Sequence, residues 1–244
     1  MFFSFKKSYI NSGLFSGMVD IHSHILPGID DGVSTYSEAV RSLQWLQRNG
    51  VCRMYLTPHV MMEIPKNTRR YVLEQFEIFK KRLEDDGVVD IPELKPGAEY
   101  MLESAFENHK NDKLLTYANR HVLVETSYMT PPIGFMSILG ELMEDGYSPV
   151  LAHPERYNYM DMGDYKHLKM EGVLFQLNYL SMTGAYGRHA KEKALQLLNG
   201  GYYNYAGTDF HHLSRHEDDY LMKSLTKKQI KALQHLIDNN KELW

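Results

Sequence analysis

Short apolar runs alternate with segments of helical periodicity along most of the 244-residue chain. Seven apolar runs predict strands: Met18–His24, Val51–Thr57, Leu94–Tyr100, Val122–Thr126, Pro149–His153, Val173–Asn178 and Tyr203–Gly207. The predicted helices are Ser37–Arg48, Thr68–Asp86, Phe135–Glu144, Tyr165–Met170, Ala190–Leu198 and Lys227–Asn239, the last of them capped by Thr226. This alternation predicts an α/β protein with one domain, residues 18–244.

Residues of the types that bind metals stand at or just beyond the carboxyl end of six of these seven strands. They are His22 and His24, then His59, Glu99, Glu125 and His153, and finally Asp209 with His211. In a barrel of parallel strands the active site is built at this end. The pattern therefore predicts a β/α barrel with a metal-dependent hydrolase site.

The pair His22-Ser23-His24 has a strand spacing that directs both imidazoles to one face. Two neutral imidazoles held side by side make half of a site for a divalent transition metal. Glu125 ends an apolar strand, where an unpaired charge would be costly. Asp31, in Asp30-Asp31-Gly32, is a ligand or only part of a turn, and Glu99 is a ligand or a solvated loop carboxylate.

These residues give nine candidate ligands: His22, His24, Asp31, His59, Glu99, Glu125, His153, Asp209 and His211. His, Asp and Glu without Cys favour Zn, Mn or Fe in a catalytic site. One ion rarely uses more than about four protein ligands when a position stays open, so nine predict two or three ions with bridging carboxylates. Such clusters suit phosphate esters, whose anionic oxygens can bind several cations.

Arg156 follows the candidate ligand His153 by three residues. Because a guanidinium is always charged and forks onto phosphate oxygens, we expect Arg156 to bind substrate phosphate. The alternative is a surface arginine, or one paired with Glu155. The other seven histidines are interpreted as surface or core residues: His109, His121, His167, His189, His212, His216 and His235.

Composition excludes several classes of protein. The net charge of −4 gives no basic field for a nucleic acid. The single cysteine, Cys52, excludes an internal disulfide framework and predicts a buried strand thiol in a reducing compartment, so we expect a cytoplasmic protein. No apolar stretch is long enough for a transmembrane segment.

Residues 1–17 are expected to be a frayed or loosely docked extension, with a membrane or partner anchor as the alternative because Phe2, Phe3 and Phe5 lie there.

The opening segment Asp20-Ile-His-Ser-His-Ile-Leu-Pro-Gly-Ile-Asp-Asp-Gly32 resembles the first motif of the polymerase-and-histidinol-phosphatase (PHP) superfamily. More narrowly, it is similar to the bacterial manganese-dependent protein-tyrosine phosphatases of capsular and exopolysaccharide loci. Further motifs follow in that family's order: Thr57-Pro-His59, Pro96-Gly-Ala-Glu99, Leu123-Val-Glu125, Ala152-His-Pro-Glu-Arg-Tyr157 and Thr208-Asp-Phe-His211. The segment Val60-Met-Met-Glu63 departs from relatives that carry basic or polar residues there, which affects the expected substrate contacts.

The resemblance implies a distorted seven-stranded β/α barrel with a trinuclear centre of divalent ions, Mn first and Fe or Zn as alternatives. In the implied sets, His22, His24, Glu99 and Asp209 hold one ion, Glu99, Glu125 and His153 a second, and Asp31, His59 and His211 a third. It also implies hydroxide attack on phosphorus without a phosphoenzyme, Arg156 assisting the leaving phenolate, and a tyrosine-phosphorylated bacterial kinase as substrate. A homo-oligomer is compatible with this family.

Two other functions remain open on the sequence alone. One is a small-molecule phosphatase of the histidinol-phosphatase type, which would share the metal ligands but need a closed pocket with an acidic group. The other is a non-catalytic regulator that keeps the fold and binds the kinase. The complete ligand set argues against the second.

Overall fold

In the computed structural model, which describes residues 6–244 apart from 105, 111 and 119, strands and helices alternate as predicted. The strands are β1 (Lys6–Ser8), β2 (Met18–Asp20), β3 (Val51–Leu56), β4 (His59–Val60), β5 (Glu93–Pro96), β6 (Glu99–Met101), β7 (His121–Glu125), β8 (Ser148–Ala152), β9 (Leu174–Asn178), β10 (Tyr205–Gly207) and β11 (Ser224–Thr226). The helices are α1 (Tyr9–Ser12), α2 (Tyr36–Arg48), α3 (Arg69–Asp85), α4 (Phe106–Lys110), α5 (Phe135–Glu144), α6 (Met162–Met170), α7 (Tyr179–Thr183), α8 (Gly187–Asn199), α9 (Leu213–Met222) and α10 (Lys227–Asn240).

Two parallel sheets form the centre of the molecule. One has six strands in the order β10-β9-β8-β7-β6-β4, and the other has three in the order β2-β3-β5. Every pairing within them is parallel, and the short β1–β11 pair is antiparallel. The prediction of an α/β fold with parallel strands is therefore confirmed, whereas a closed seven-stranded barrel remains a prediction.

The expected strand Leu94–Tyr100 is interrupted, and a further short strand, β4, follows the expected strand Val51–Thr57, where the chain passes from the smaller sheet to the larger one. Pro58 separates β3 from β4 and cannot donate a backbone hydrogen bond. Gly97 lies between β5 and β6, where its N–H donates to the carbonyl of Leu56 at 2.8 Å. After each break the next strand begins at a candidate ligand, His59 in β4 and Glu99 in β6, and belongs to the larger sheet.

The helices cover the sheets with their apolar faces. In α2, Ala39, Leu43 and Leu46 are buried, and Thr35 caps the helix by accepting from the N–H of Glu38. Thr226 caps α10 through a reciprocal capping box with Gln229, which confirms that prediction. The short helix α1 and helices α4, α7 and α9 were not predicted, and Cys52 is half-buried on β3 rather than fully buried.

The segment that leads into β2 is packed firmly against the fold. Tyr9 and Phe15 are buried, and their rings contact Tyr179 and Tyr220. The Tyr9 hydroxyl donates to the Tyr179 carbonyl at 2.9 Å, and β1 pairs with β11. The prediction of loose docking is therefore wrong for residues 6–17, because their aromatic partners lie far away in sequence. Residues 1–5 of the predicted extension, with Phe2, Phe3 and Phe5, lie outside the described residues.

None of the helices in the described part of the chain is both long and apolar enough to cross a membrane.

Replacing Tyr9 by alanine tests the docking of this segment. Because the ring is fully buried, we expect Tyr9→Ala to lower the free energy of unfolding by about 3–5 kcal/mol. Urea unfolding monitored by circular dichroism measures the change, with Lys6→Ala on the exposed part of β1 as the control. Equal stability of the two variants would show that the segment contributes nothing to the folded state.

Candidate metal centre

All nine predicted ligands lie together: seven are at or after the carboxyl ends of parallel strands, and His59 and Glu99 begin β4 and β6 just after β3 and β5 end. Six of them are buried: His22, His24, Glu99, Glu125, His153 and Asp209. His59 and His211 are half-buried, and Asp31 is exposed at the rim. The convergence that the sequence predicted is therefore present in the structure.

Their donor atoms form four overlapping groups in which all atoms lie within 4.8 Å of one another. The groups are His24, Asp31, His59 and His211; His22, His24 and Asp209; His22, Glu99 and His153; and His59, Glu99 and Glu125. Each group has the three or four nitrogen and oxygen donors that a catalytic transition metal takes from a protein.

Glu99 stands at the centre of the cluster. Its Oε2 atom is 3.2 Å from His22 Nε2, 3.4 Å from His24 Nε2 and 3.1 Å from His59 Nδ1. Its Oε1 atom is 3.0 Å from His153 Nε2. Burial opposes ionisation, but His22 and the neighbouring imidazoles hold the pKa of Glu99 well below its ordinary value. Glu99 is thus an ionised carboxylate placed between several nitrogen donors.

The buried polar atoms of the cluster fit a divalent cation. Both carboxylate oxygens of Glu99, Oε1 of Glu125 and Nδ1 of His59 are buried and form no hydrogen bond. Buried polar atoms without a partner are costly, and most native proteins avoid them. Lone pairs that converge in this way satisfy the coordination preference of Zn, Mn or Fe.

The four groups do not reproduce the three ligand sets that the family resemblance implies. His153 groups with His22 and Glu99 rather than with Glu125, from which its Nε2 is 3.9 Å away. His59 contributes to two groups because its Nδ1 faces Glu125 at 2.9 Å while its Nε2 faces Asp31 at 3.4 Å. The residues are those expected, and the distances between their donor atoms divide them into different sets.

Two side chains that the sequence reasoning did not assign orient the first histidine pair. Asp30 Oδ2 lies 2.8 Å from His24 Nδ1 and also accepts from the N–H of His59 at 3.0 Å. Gln176 Oε1 lies 2.9 Å from His22 Nδ1. Such bonds fix the ring orientation and leave Nε2 directed at the metal position. The available signals were weak: a second aspartate in a turn, and one polar residue inside the strand Val173–Asn178.

The backbone is tightly constrained around the same histidines. A Cβ atom on Gly32 would lie 2.1 Å from the His24 carbonyl oxygen, and one on Gly207 would lie 2.7 Å from His22 Cβ. Asp209 and His153 have positive φ angles of 50° and 35°. Non-glycine residues in this region carry strain, which is typical of functional sites.

Arg156 lies at the edge of the cluster between two aromatic rings. Its guanidinium is 3.9 Å from the ring centroid of Tyr186 and 4.4 Å from that of Tyr128. Its Nη1 donates to Asp209 Oδ2 at 3.0 Å, and Asn178 Nδ2 donates to the same oxygen at 2.6 Å. Arg156 is therefore neither a surface arginine nor the partner of Glu155.

Of the remaining histidines, His216 comes nearest to the cluster. It is buried, and its Nε2 accepts from the N–H of His211 at 3.4 Å. Burial lowers the pKa of His216 to about 3, so its ring is neutral. His212 instead faces Glu38 at 3.2 Å. Neither residue offers a donor to the four groups.

The sequence model of a family described as "Capsular polysaccharide synthesis, CpsB/CapC" matches residues 18–241. The tyrosine-protein phosphatase YwqE of Bacillus subtilis is 28% identical over 234 residues, which cover 93% of this chain and 91% of the relative. The tyrosine-protein phosphatase CpsB of Streptococcus pneumoniae is 26% identical, with coverage of 93% and 98%.

The comparison with solved structures also finds similarity to tyrosine phosphatases. A crystal structure described as one of YwqE from Bacillus subtilis and CpsB from Streptococcus pneumoniae, "unique metal-dependent tyrosine phosphatases", superposes with a TM-score of 0.78. It is 25% identical and covers 93% of each chain. An amidohydrolase from Burkholderia ambifaria, described with bound Zn, has a TM-score of 0.52 at 9% identity, covering 96% of this chain and 87% of its own. This second likeness shows the fold alone.

Removing the Asp30 carboxylate tests its orienting role. Because Asp30 fixes His24 through Nδ1, we expect Asp30→Ala to weaken metal binding about 10- to 100-fold. Titration of Mn²⁺ into chelator-treated protein by calorimetry measures this affinity. The exposed Asp218 gives the control Asp218→Ala, which should bind as the parent does. Parental affinity in Asp30→Ala would mean that His24 is oriented without this carboxylate.

Proposed function

The chain belongs to the CpsB/CapC family of capsular polysaccharide synthesis, and we propose that it is a metal-dependent protein-tyrosine phosphatase. The observation that carries the proposal is the pairing of two features in one site. Nine residues able to bind metal form one cluster, and one of them, Asp209, faces His22 within the cluster and accepts a hydrogen bond from the cation Arg156 at its edge. The similarity to relatives named as tyrosine-protein phosphatases supports the same activity.

We assign the nine residues as ligands of two to three divalent ions, with Mn first and Fe or Zn as alternatives. Glu99 is shared between ions, because its two oxygens face different nitrogen donors. Bound there, such ions would supply an ionised water at neutral pH and offset the charge of a phosphate ester. Asp30 and Gln176 keep His22 and His24 in the orientation that this binding needs.

Arg156 is assigned to bind the substrate phosphate and to stabilise the leaving phenolate oxygen. The two tyrosine rings hold the guanidinium plane, so little side-chain freedom is lost when a phosphate oxygen arrives. Asp209 occupies one N–H group of Arg156, and the guanidinium carries further donors for the phosphate. We assign Asp209 a catalytic role because it joins this cation to the metal ligands.

A groove next to the cluster favours a protein substrate over a small molecule. It is lined by the segment after His59, by the loop after β6 and by the loop after β7; its residues include Met61, Glu63, Met101, Glu103, Ser127, Thr130, Pro131 and Ile133. The side chain of Ile133 is fully exposed and that of Met129 is 68% exposed. Glu63, Glu103 and Glu107 also line the groove, so its open, extended shape is the feature that suits a peptide around the phosphotyrosine, whereas histidinol phosphate would need a closed pocket.

The proposed substrate is a tyrosine-phosphorylated bacterial kinase that controls capsule or exopolysaccharide synthesis. We place the reaction in the cytoplasm, in keeping with the single cysteine and the absence of a disulfide framework. The family's link to capsular polysaccharide synthesis supports this choice.

We also propose that the two parallel sheets act as one distorted barrel of seven strands. Backbone hydrogen bonds that join their edges support this, since His24 N donates to Phe210 O at 2.7 Å and Asp209 N donates to His22 O at 2.9 Å. On the other side the chain itself joins the sheets, since β3 leads through Pro58 into β4 and β5 leads through Gly97 into β6. Residues 18–244 would then be one domain, and residues 1–17 an extension of it.

Phosphate release from a phosphotyrosine peptide tests the proposal, after chelation and re-addition of Mn, Fe or Zn, with histidinol phosphate measured in parallel. We expect metal-dependent release from the peptide, and loss of turnover in His24→Ala and Asp209→Ala with the fold preserved. Preference for histidinol phosphate would indicate the small-molecule phosphatase. Absence of release from either substrate by metal-loaded protein would indicate the non-catalytic regulator.

Replacing Arg156 separates phosphate binding from metal binding. We expect Arg156→Ala to lower kcat about 100-fold, since it removes a charge that stabilises the transition state, while metal content stays the same. Arg156→Lys keeps the charge but loses the fork, and should recover only part of the activity. Kinetics with the phosphotyrosine peptide and elemental analysis measure the two effects. Loss of metal in Arg156→Ala would instead make the arginine a structural support of Asp209.

A further inference from the structure

Glu155 is a fully buried carboxylate that the proposed mechanism does not use. It lies in the 3₁₀ turn Pro154–Arg156, directly before the arginine of the site. Its Oε1 accepts from the N–H of Asn178 at 3.0 Å, and its Oε2 accepts from the hydroxyl of Tyr203 at 2.9 Å. A buried carboxylate is costly, and an apolar side chain of similar volume would often stabilise a fold more. Packing alone therefore does not explain this residue.

Asn178 carries the contact from Glu155 into the site. It ends β9, and its Oδ1 accepts from the N–H of Leu180 at 2.9 Å as the cap of α7. Because a backbone N–H can only donate, Oδ1 must face Leu180, so Nδ2 of the same amide faces the other way. There Nδ2 donates to Asp209 Oδ2 at 2.6 Å. The hydrogen bond between the Asn178 N–H and Glu155 thus fixes a residue that contacts a candidate metal ligand.

These contacts form a closed cycle of four residues: Glu155, Arg156, Asp209 and Asn178. Arg156 follows Glu155 in the chain, and its Nη1 donates at 3.0 Å to the same Asp209 oxygen that Asn178 Nδ2 reaches. Asn178 closes the cycle by donating its backbone N–H to Glu155. Two donors meet at one carboxylate oxygen only if the turn that carries Arg156 and the end of β9 keep a fixed separation. The carboxylate of Glu155 spans that separation.

We propose that Glu155 is a positioning residue, which holds Arg156 where it meets both Asp209 and the substrate phosphate. The inference rests on the proposed phosphatase activity and adds a residue to it. The rings of Tyr128 and Tyr186 fix the plane of the guanidinium, whereas Glu155 fixes the turn from which the arginine extends. Since a displacement of about 1 Å can cost about 100-fold in rate, we expect the effect in kcat rather than in metal binding.

Glu155→Met tests the proposal, because it keeps the volume of the side chain and removes both acceptor oxygens. We expect the variant to retain the parental Mn²⁺ content and to lower kcat about 10- to 100-fold with the phosphotyrosine peptide. The loss should be smaller with p-nitrophenyl phosphate, whose leaving phenolate is more stable and needs less help from Arg156. Glu155→Gln keeps one acceptor for the Asn178 N–H and should recover most of the lost activity.

Combining Glu155→Met with Arg156→Ala shows whether Glu155 acts through the arginine. In the Arg156→Ala background, Glu155→Met should change kcat by less than about twofold, because the group that it positions is already absent. Two losses that multiply in full would overturn the proposal. A loss of metal in Glu155→Met, or a parental kcat in that variant, would also overturn it.

Tyr203→Phe is the matched control, since it removes the other hydrogen bond of Glu155 and leaves the one from Asn178. We expect it to unfold at a lower urea concentration while its kcat stays parental. An equal fall of kcat in Tyr203→Phe would make Glu155 a support of the fold and overturn the proposal.

Circular dichroism checks that each variant folds. If Glu155→Met does not fold, Glu155→Ala takes its place with the same expectations, since the smaller side chain admits a water molecule to the Asn178 N–H. Absence of phosphate release by the metal-loaded parent would overturn the proposed phosphatase function and this inference with it. An active parent in which the two substitutions act independently would overturn this inference alone.

Discussion

The structure depends on the burial of one carboxylate, that of Glu99. It is inaccessible to solvent and lies within 3.0–3.4 Å of ring nitrogens from His22, His24, His59 and His153. A buried carboxylate is costly unless positive charge surrounds it, and its oxygens here accept no hydrogen bond. The carboxyl ends of several strands must therefore meet around this group, and a cation at their meeting point relieves the cost.

Hydrogen bonds on the outer side of the histidines fix the orientation of the rings that surround Glu99. Asp30 and Gln176 bind the outer ring nitrogens of His24 and His22, so that the inner nitrogens face Glu99. This arrangement constrains the backbone in two places. Asp209 has a positive φ angle, which strains a non-glycine residue, and Gly32 lies so close to His24 that a side chain there would clash. The buried apolar side chains of the strands hold the fold in place despite that strain.

The sequence predicts the site better than it predicts the surroundings, and the reasons are physical. His22 and His24 could be assigned because a strand alternates its side chains, and Glu125 because a charge ends an apolar run. Asp30 could not be distinguished from a turn residue, since its role depends on His24 and His59 lying beside it. The docking of Tyr9 depends on Tyr179 and Tyr220, which are far away in sequence and leave no local pattern. Pro58 follows the second predicted strand, and because it cannot donate to a strand ladder it marks the boundary between β3 and β4.

The first and last motifs of the sequence contact each other across the fold. Asp20, two residues before His22, accepts from both the N–H and the hydroxyl of Thr208, at 3.0 Å and 2.5 Å. This fixes Asp209, whose Oδ1 lies 3.3 Å from His22 Nε2 while its Oδ2 accepts from Arg156.

One carboxylate thus faces an imidazole of the histidine cluster with one oxygen and the guanidinium of Arg156 with the other. Such a link is unnecessary for a site that only stabilises the fold. It is suited to a reaction in which phosphate oxygens must reach metal ions and a guanidinium at the same time. The geometry at Asp209 therefore supports catalysis on a phosphate ester more directly than the number of ligands does.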